Sequence, residues 1–236
     1  MVGFLHGLAA FFSFLIPAAV IMLTVRALTK IPDELFRKIL HFILLGAYIP
    51  LVFAFEVWWM AAILAAALAI GLYPLLTWAG RIPGFTRFAT ERKEGEFANS
   101  MVLALTTMAL AVTVCWGIFG DRYLVLACVY AWGVGDAFAA LIGKKFGKHK
   151  ITWKYADKHK SVEGSAAMFL TSTIAVVCVL LVRGHLPWPA YLVIPVVGAG
   201  AATVVEMVCK DGRDTICCPV AAMLTVLPLM ELFGGV

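Results

Sequence analysis

Eight apolar runs, each near the length that crosses a bilayer, constrain this chain more than any other feature. They cover Phe4–Leu28, Ile39–Phe55, Val57–Ala79, Ser100–Phe119, Tyr123–Gly143, Val162–Val182, Trp188–Cys209 and Thr215–Phe233. In lipid every backbone N–H and C=O must find its partner within the protein, so runs of this length are expected to be helices. Hydrophobic residues make up 63% of the 236, too many for a domain that stays in water. The expected fold is all-α: a polytopic transmembrane helical bundle of about eight spans. It forms a single integral-membrane domain over residues 1–236, because the segments between runs are too short to bury a core. The start, MVGFLHGLAAFF, lacks a basic n-region, so the first run is expected to remain as a span. None of the six cysteines has CxxC spacing, and all sit in or beside apolar runs, as buried free thiols do.

Charge placement gives an orientation. The connections after the first, third, fifth and seventh runs, with their flanks, hold 17 of the 19 lysines and arginines. Only Arg122 and Arg183 fall on the other side. Basic residues collect in cytoplasmic loops, so both termini are expected on the non-cytoplasmic side. Eleven of the 14 acidic residues share the basic side. The charge rule concerns Lys and Arg and does not explain that; a site using both signs would.

The stretch from Gly133 to Ser165 concentrates the chemistry. Asp136 lies inside an apolar helical run, about 12 Å deeper than Lys144 at helical rise. A carboxylate at that depth is costly unless paired, hydrated or bound to a cation. A structural pair with a lysine of a neighbouring helix competes there with Mg²⁺ coordination or general-base work. Seven lysines follow, at 144, 145, 148, 150, 154, 158 and 160. Topology and attraction to anionic headgroups would account for such a loop. The segment GKKFGKHK adds a second reading, in which Lys144, Lys145 and Lys148 with nearby backbone amides hold phosphates. Ser161 is a candidate N-cap for the sixth run, and with Lys160 and Gly164 it forms a helix start suited to an anion. Glu163 would bind a metal or complement the helix dipole.

Further acids and cations flank this stretch. Glu206 sits near the end of the seventh run, with Lys210 one turn on as its local partner. Asp214 opens the eighth run, and Pro219 one turn later leaves backbone groups needing another partner. Arg37, Lys38 and His41 open the second run as supporting residues, with Arg37 and His41 on one face. Glu94, Glu96 and Asn99 are placed to cap the site from the side.

Taken in order, RKILH at 37–41, GDAFAALIGKKFGKHKI at 135–151, KSVEGS at 160–165, Glu206 and DTICCP at 214–219 resemble the CTP-dependent lipid kinases. That family comprises dolichol kinase, phytol kinase and the CTP-dependent diacylglycerol kinase, and is related to phosphatidate cytidylyltransferase. The resemblance covers about residues 37–219, and Thr215 stands where the family has Asn. It implies Mg-dependent transfer of the γ-phosphate of CTP, or another nucleoside triphosphate, to a lipid alcohol at the cytoplasmic membrane face. The alcohol would be a polyprenol, phytol or geranylgeraniol, or diacylglycerol. It further implies Asp136, Lys160, Glu163 and Asp214 as catalytic residues, and Asp136, Glu163, Glu206 and Asp214 around Mg²⁺. The nucleotide phosphates would lie on Lys144, Lys145, Lys148, Lys160, Ser161 and Gly164. Nucleic acid is not an expected partner, and self-association is compatible with the sequence.

Two rivals remain at this stage. Phosphatidate cytidylyltransferase shares the 135–165 pattern but carries a later Pro-Gly-His-Gly-Gly run and a second acidic cluster, which KDGRDTICCPVAAM lacks. A small ion-coupled transporter would use intramembrane Asp136 and Glu206. Its acids would be expected near the midplane between inverted repeats, and here they gather at one side.

Overall fold

In a computed structural model describing residues 2–82, 85, 95–210 and 212–235, the chain is a bundle of helices. They are α1 (Val2–Leu28), α2 (Asp33–Phe53), α3 (Trp58–Ala79), α4 (Glu96–Ala111), α5 (Arg122–Phe146), α6 (Val162–Arg183), α7 (Ala190–Val208) and α8 (Asp214–Leu232). A π-helical segment, Val112–Ile118, continues α4 to the length of a span. All eight are long and apolar enough to cross a membrane. No strand occurs among the described residues; an isolated bridge between Lys150 and Ser161 closes one loop.

The expected runs and the observed helices agree closely at the sixth, seventh and eighth positions. The second differs most. It begins at Asp33, six residues before Ile39. Pro32 stands at the cap, and Asp33 and Glu34 place negative charge in the first turn, where the helix dipole favours it. The extra turn and a half draws Arg37, Lys38 and His41 into the helix body and fixes their direction.

Helix α5 is the centre of the bundle and the most buried span. Its small residues permit this. A Cβ on Gly133 would run into Leu45 of α2, and one on Gly135 would meet Ser172 and Met168 of α6. Gly143 and Gly164 face each other across α5 and α6, with a Cβ on Gly164 only 3.3 Å from the Gly143 Cα. Such small-residue contacts let helices approach closely where no hydrophobic drive separates protein from lipid. Helix α1, by contrast, packs chiefly on α2 and exposes much of its apolar surface.

The charges sort to the two ends. At the far end Arg183 pairs with Asp121 and donates to the carbonyl of Gly235, close to the C-terminus. Arg122 there lies 4.3 Å from the Trp116 ring and donates to the Glu56 carbonyl, while Gly3 abuts the Glu56 side chain. Gly3 and Gly235 therefore lie at the end opposite the lysine-rich loop.

Candidate active site

At the lysine-rich end, α2, α5, α7, α8 and the loop before α6 bring charged residues together. Asp136, on α5, accepts a hydrogen bond from Lys38 Nζ at 2.7 Å. One turn along α2, His41 Nε2 lies 2.9 Å from the Gly133 carbonyl and 3.9 Å from Asp136 Oδ2. A carbonyl only accepts, so Nε2 carries the proton in this contact. The His41 ring meets Trp132 edge-on, with centroids 5.1 Å apart. Lys38 and His41 thus share the face turned to α5, whereas Arg37 turns to Glu96 of α4 at 3.5 Å. Arg37 and His41, one turn apart on α2 as expected, thus meet different partners.

The second half of the site is an ion pair between Lys160 and Glu206. Glu206 is 2% exposed. Among the described residues its other oxygen, Oε2, has no hydrogen-bond partner, while the Trp132 indole N–H is directed at Asp214. Lys160 replaces Lys210 as the partner of Glu206. The loop from 147 to 161 makes this pairing by docking on the end of α7, where the Asp157 amide donates to the Met207 carbonyl at 2.9 Å. Burial opposes the charge on Lys160, but the attraction of Glu206, Asp214 and Asp136 outweighs it and raises the lysine above its ordinary value. Asp214, at the start of α8, acts electrostatically on Glu206, Asp136, Lys160 and Lys38, so the two halves form one cluster. Two ammonium groups face three carboxylates there.

Pro219 helps to position Asp214. Lacking an N–H, it cannot bond the carbonyl of Thr215 four residues earlier. Thr107 Oγ1 on α4 lies 3.0 Å from that carbonyl and shares its one proton between it and the Leu103 carbonyl at 2.9 Å. The unpaired backbone group expected near Pro219 is thereby satisfied by protein.

The remaining expected residues lie apart from the cluster. Ser161 is the N-cap of α6, its Oγ accepting from the Gly164 amide at 3.2 Å. That bond uses Gly164 N–H, and the Gly143–Gly164 contact is a helix crossing rather than an open phosphate nest. Glu163 turns outward to the loop, accepting from the amides of Lys148 and His149 at 3.2 Å each and lying 2.6 Å from His149 Nδ1. Lys144 pairs with Glu34 at the base of α2. Lys145 lies 5.1 Å from the Phe146 ring centroid. Lys144, Lys145 and Lys148 therefore form an outer cationic rim, and Asp136, Lys160, Glu206 and Asp214 an inner cluster. Asn99 is exposed on α4, while Glu94 and Asp211 lie outside the described residues. Cys209, beside the site, is held near 11 by burial and by Cys217, so it stays a thiol.

The fit of Mg²⁺ follows from this arrangement. The inner donors are hard carboxylate oxygens, and Glu206 Oε2 makes no hydrogen bond among the described residues. Among the described residues no three ligating side chains converge as a closed metal cage. Mg²⁺ commonly binds through one or two carboxylates and completes its shell with waters and substrate phosphates. The inner carboxylates fit that mode, with Asp136, Glu206 and Asp214 as the candidate ligands; Glu163 is directed away from them.

No protein-family model matches the chain, and no solved structure matches it. It is similar to a Triticum aestivum protein described as "Probable phytol kinase, chloroplastic", with 30% identity over 152 residues. The similarity takes in 61% of this chain and 48% of the wheat protein, so the chain spans about half the length of that relative.

Proposed function

We propose that the chain is a membrane lipid kinase that transfers the γ-phosphate of a nucleoside triphosphate, CTP by family resemblance, to the hydroxyl of a lipid alcohol. The observation that carries this reading is the inner cluster. Four helices and a docked loop gather Lys38, Asp136, Lys160, Glu206 and Asp214 at one end of a membrane-length bundle. The similarity to a phytol kinase supports it independently.

Phosphoryl transfer asks for charge neutralisation and in-line placement more than for covalent catalysis. In this reading the outer rim of Lys144, Lys145 and Lys148 draws the triphosphate in, and Lys160 meets the transferred group. Asp136, Glu206 and Asp214 hold Mg²⁺, which would neutralise charge on the phosphates. Lys38 and the Gly133-anchored His41 fix the Asp136 carboxylate. Glu163 orders the loop rather than the metal. Ser161 and Gly164 shape the turn that delivers Lys160. The lipid hydroxyl reaches the cluster from the bilayer, and the cationic end faces the cytoplasm.

The test is a product analysis on purified chain with CTP or ATP, Mg²⁺ and a panel of phytol, geranylgeraniol, polyprenol and diacylglycerol. Lipid-dependent nucleoside diphosphate and a phosphorylated lipid are expected. Asp136→Asn and Lys160→Ala should each abolish both products in folded protein. Release of pyrophosphate from CTP and phosphatidate would instead make the chain a cytidylyltransferase.

A further inference from the structure

The loop between α5 and α6 carries two exposed aromatic side chains that the inner cluster does not use. Trp153 is 49% exposed and Tyr155 64%. Their rings meet edge-on with centroids 5.8 Å apart. Lys154, between them in sequence, is also exposed, with Nζ 5.9 Å from the Tyr155 ring centroid. The backbone holds these residues in place. The Ala156 amide donates to the Trp153 carbonyl at 3.0 Å and closes one turn, and the Lys160 amide donates to the Asp157 carbonyl at 3.0 Å and closes the next. Ala156 is buried, and the bond from the Asp157 amide to Met207 pins the tip against the end of α7. The tip therefore lies along the end of the bundle, at the level where the spans α5, α6 and α7 end.

Its charge is one-sided. From 150 to 159 there are three lysines and one acid, Asp157. Lys154 and Lys158 are exposed and make no ion pair among the described residues, and Lys150 donates to the neutral His159 carbonyl at 3.1 Å. Asp157 turns back to accept from the His159 amide at 3.0 Å. Exposed rings beside unpaired lysines match the membrane–water interface, where Trp and Tyr sit at headgroup level and lysines meet anionic lipid. Exposed apolar side chains at the two feet of the loop, Phe146 closing α5 and Val162 opening α6, continue this surface toward the bilayer.

We propose that the 150–159 tip docks on the headgroup layer at the lysine-rich end of the bundle and recognises anionic phospholipids there. Trp153 and Tyr155 enter the layer, and Lys150, Lys154 and Lys158 meet its phosphates. The rim of Lys144, Lys145 and Lys148 precedes the Lys150–Ser161 bridge and is a separate set of cations. The proposal stands apart from the kinase reading, because the partner is the bilayer and neither the nucleotide nor the acceptor.

The experiment places the full chain in lipid nanodiscs, which leave both faces open to water. They are made of phosphatidylcholine alone or of an equal mixture with phosphatidylglycerol, each with a trace of lipid spin-labelled on its headgroup. The Trp153 signal is the difference in tryptophan emission between the parent and Trp153→Phe, because six other tryptophans also emit. In the mixed bilayer the spin label should quench Trp153 about twice as strongly as in phosphatidylcholine, and water-borne acrylamide about half as strongly. Salt at about 1 M, where the Debye length is about 3 Å, should remove the difference. The double substitution Lys154→Gln with Lys158→Gln, which breaks no ion pair, should remove it too. Equal quenching in the two bilayers, or a difference that survives the salt or the double substitution, would overturn the proposal. So would protection of Trp153 by CTP or ATP in phosphatidylcholine alone, the mark of an aromatic pair that stacks a nucleotide base.

Discussion

Replacing Lys160 with methionine removes the cation paired to Glu206, and the structure indicates what that costs. Glu206 is almost fully enclosed, and Asp136 and Asp214 add negative charge to its surroundings. Removing one member of a buried ion pair typically costs about 3–5 kcal/mol, because the other charge is left buried. The Lys160 side chain keeps 26% of its surface exposed, so water screens part of the attraction. We therefore expect Lys160→Met to destabilise the fold by about 2–4 kcal/mol. In the Glu206→Gln background the same change should cost less than about 1 kcal/mol, a coupling of roughly 2 kcal/mol. Equilibrium unfolding of purified protein in mixed detergent, with helicity as the signal, measures all four corners of the cycle. The lysine's pKa is raised in the fold, so its contribution is fully present below the unfolded value of about 10.5 and is lost only as pH rises through the higher folded value. The lysine's side of the coupling should consequently persist unchanged up to about pH 9. Additive single costs, with coupling under about 0.5 kcal/mol, would refute the buried pair and the cluster built on it.

Three further perturbations probe how the site is held. Thr107→Val removes the hydroxyl that satisfies the Thr215 carbonyl, and should cost about 1–3 kcal/mol and lower activity by displacing Asp214; unfolding and turnover of Thr107→Ser, which keeps the hydroxyl, should stay near the parent. Gly135→Ala places a methyl against Ser172 and Met168 one residue before Asp136, and overpacking there should cost about 1–3 kcal/mol and be partly relieved by Ser172→Gly. Lys38→Met should leave Asp136 without its 2.7 Å partner and reduce phosphoryl transfer more than it reduces alcohol binding, read as a split between kcat and KM.

Much of the bundle is legible in the sequence because lipid leaves the backbone one economical conformation. The eight runs are the eight observed spans, and the Ser161 cap and the need for a partner near Pro219 follow from local chemistry. Where hydropathy stops being informative, the reading slips. The start of α2 is a polar turn and a half that Pro32, Asp33 and Glu34 begin, and an apolar scan does not register it. The partners of Asp136 and Glu206 come from 98 and 46 residues away, so sequence proximity pointed to Lys210 where the fold uses Lys160. Glu163 looked like a metal ligand because it opens a helix beside the cations; in the fold it braces the loop. Trp132 and Thr107 escaped notice as ordinary members of apolar spans. The adjoining WGVGD, with two glycines around a buried acid, was the available hint that Trp132 borders the site.

The central claim is transfer of the terminal phosphate to a lipid alcohol, and position-specific labelling tests it most directly. Purified chain would be given geranylgeraniol or phytol, Mg²⁺ and CTP labelled with ³²P either at the γ or at the α position, with labelled ATP in parallel. The account predicts that γ-label enters the organic phase as a lipid monophosphate, that α-label stays in water as the diphosphate, and that Lys160→Ala stops the transfer. Label entering the lipid from the α position, or from neither, would contradict it.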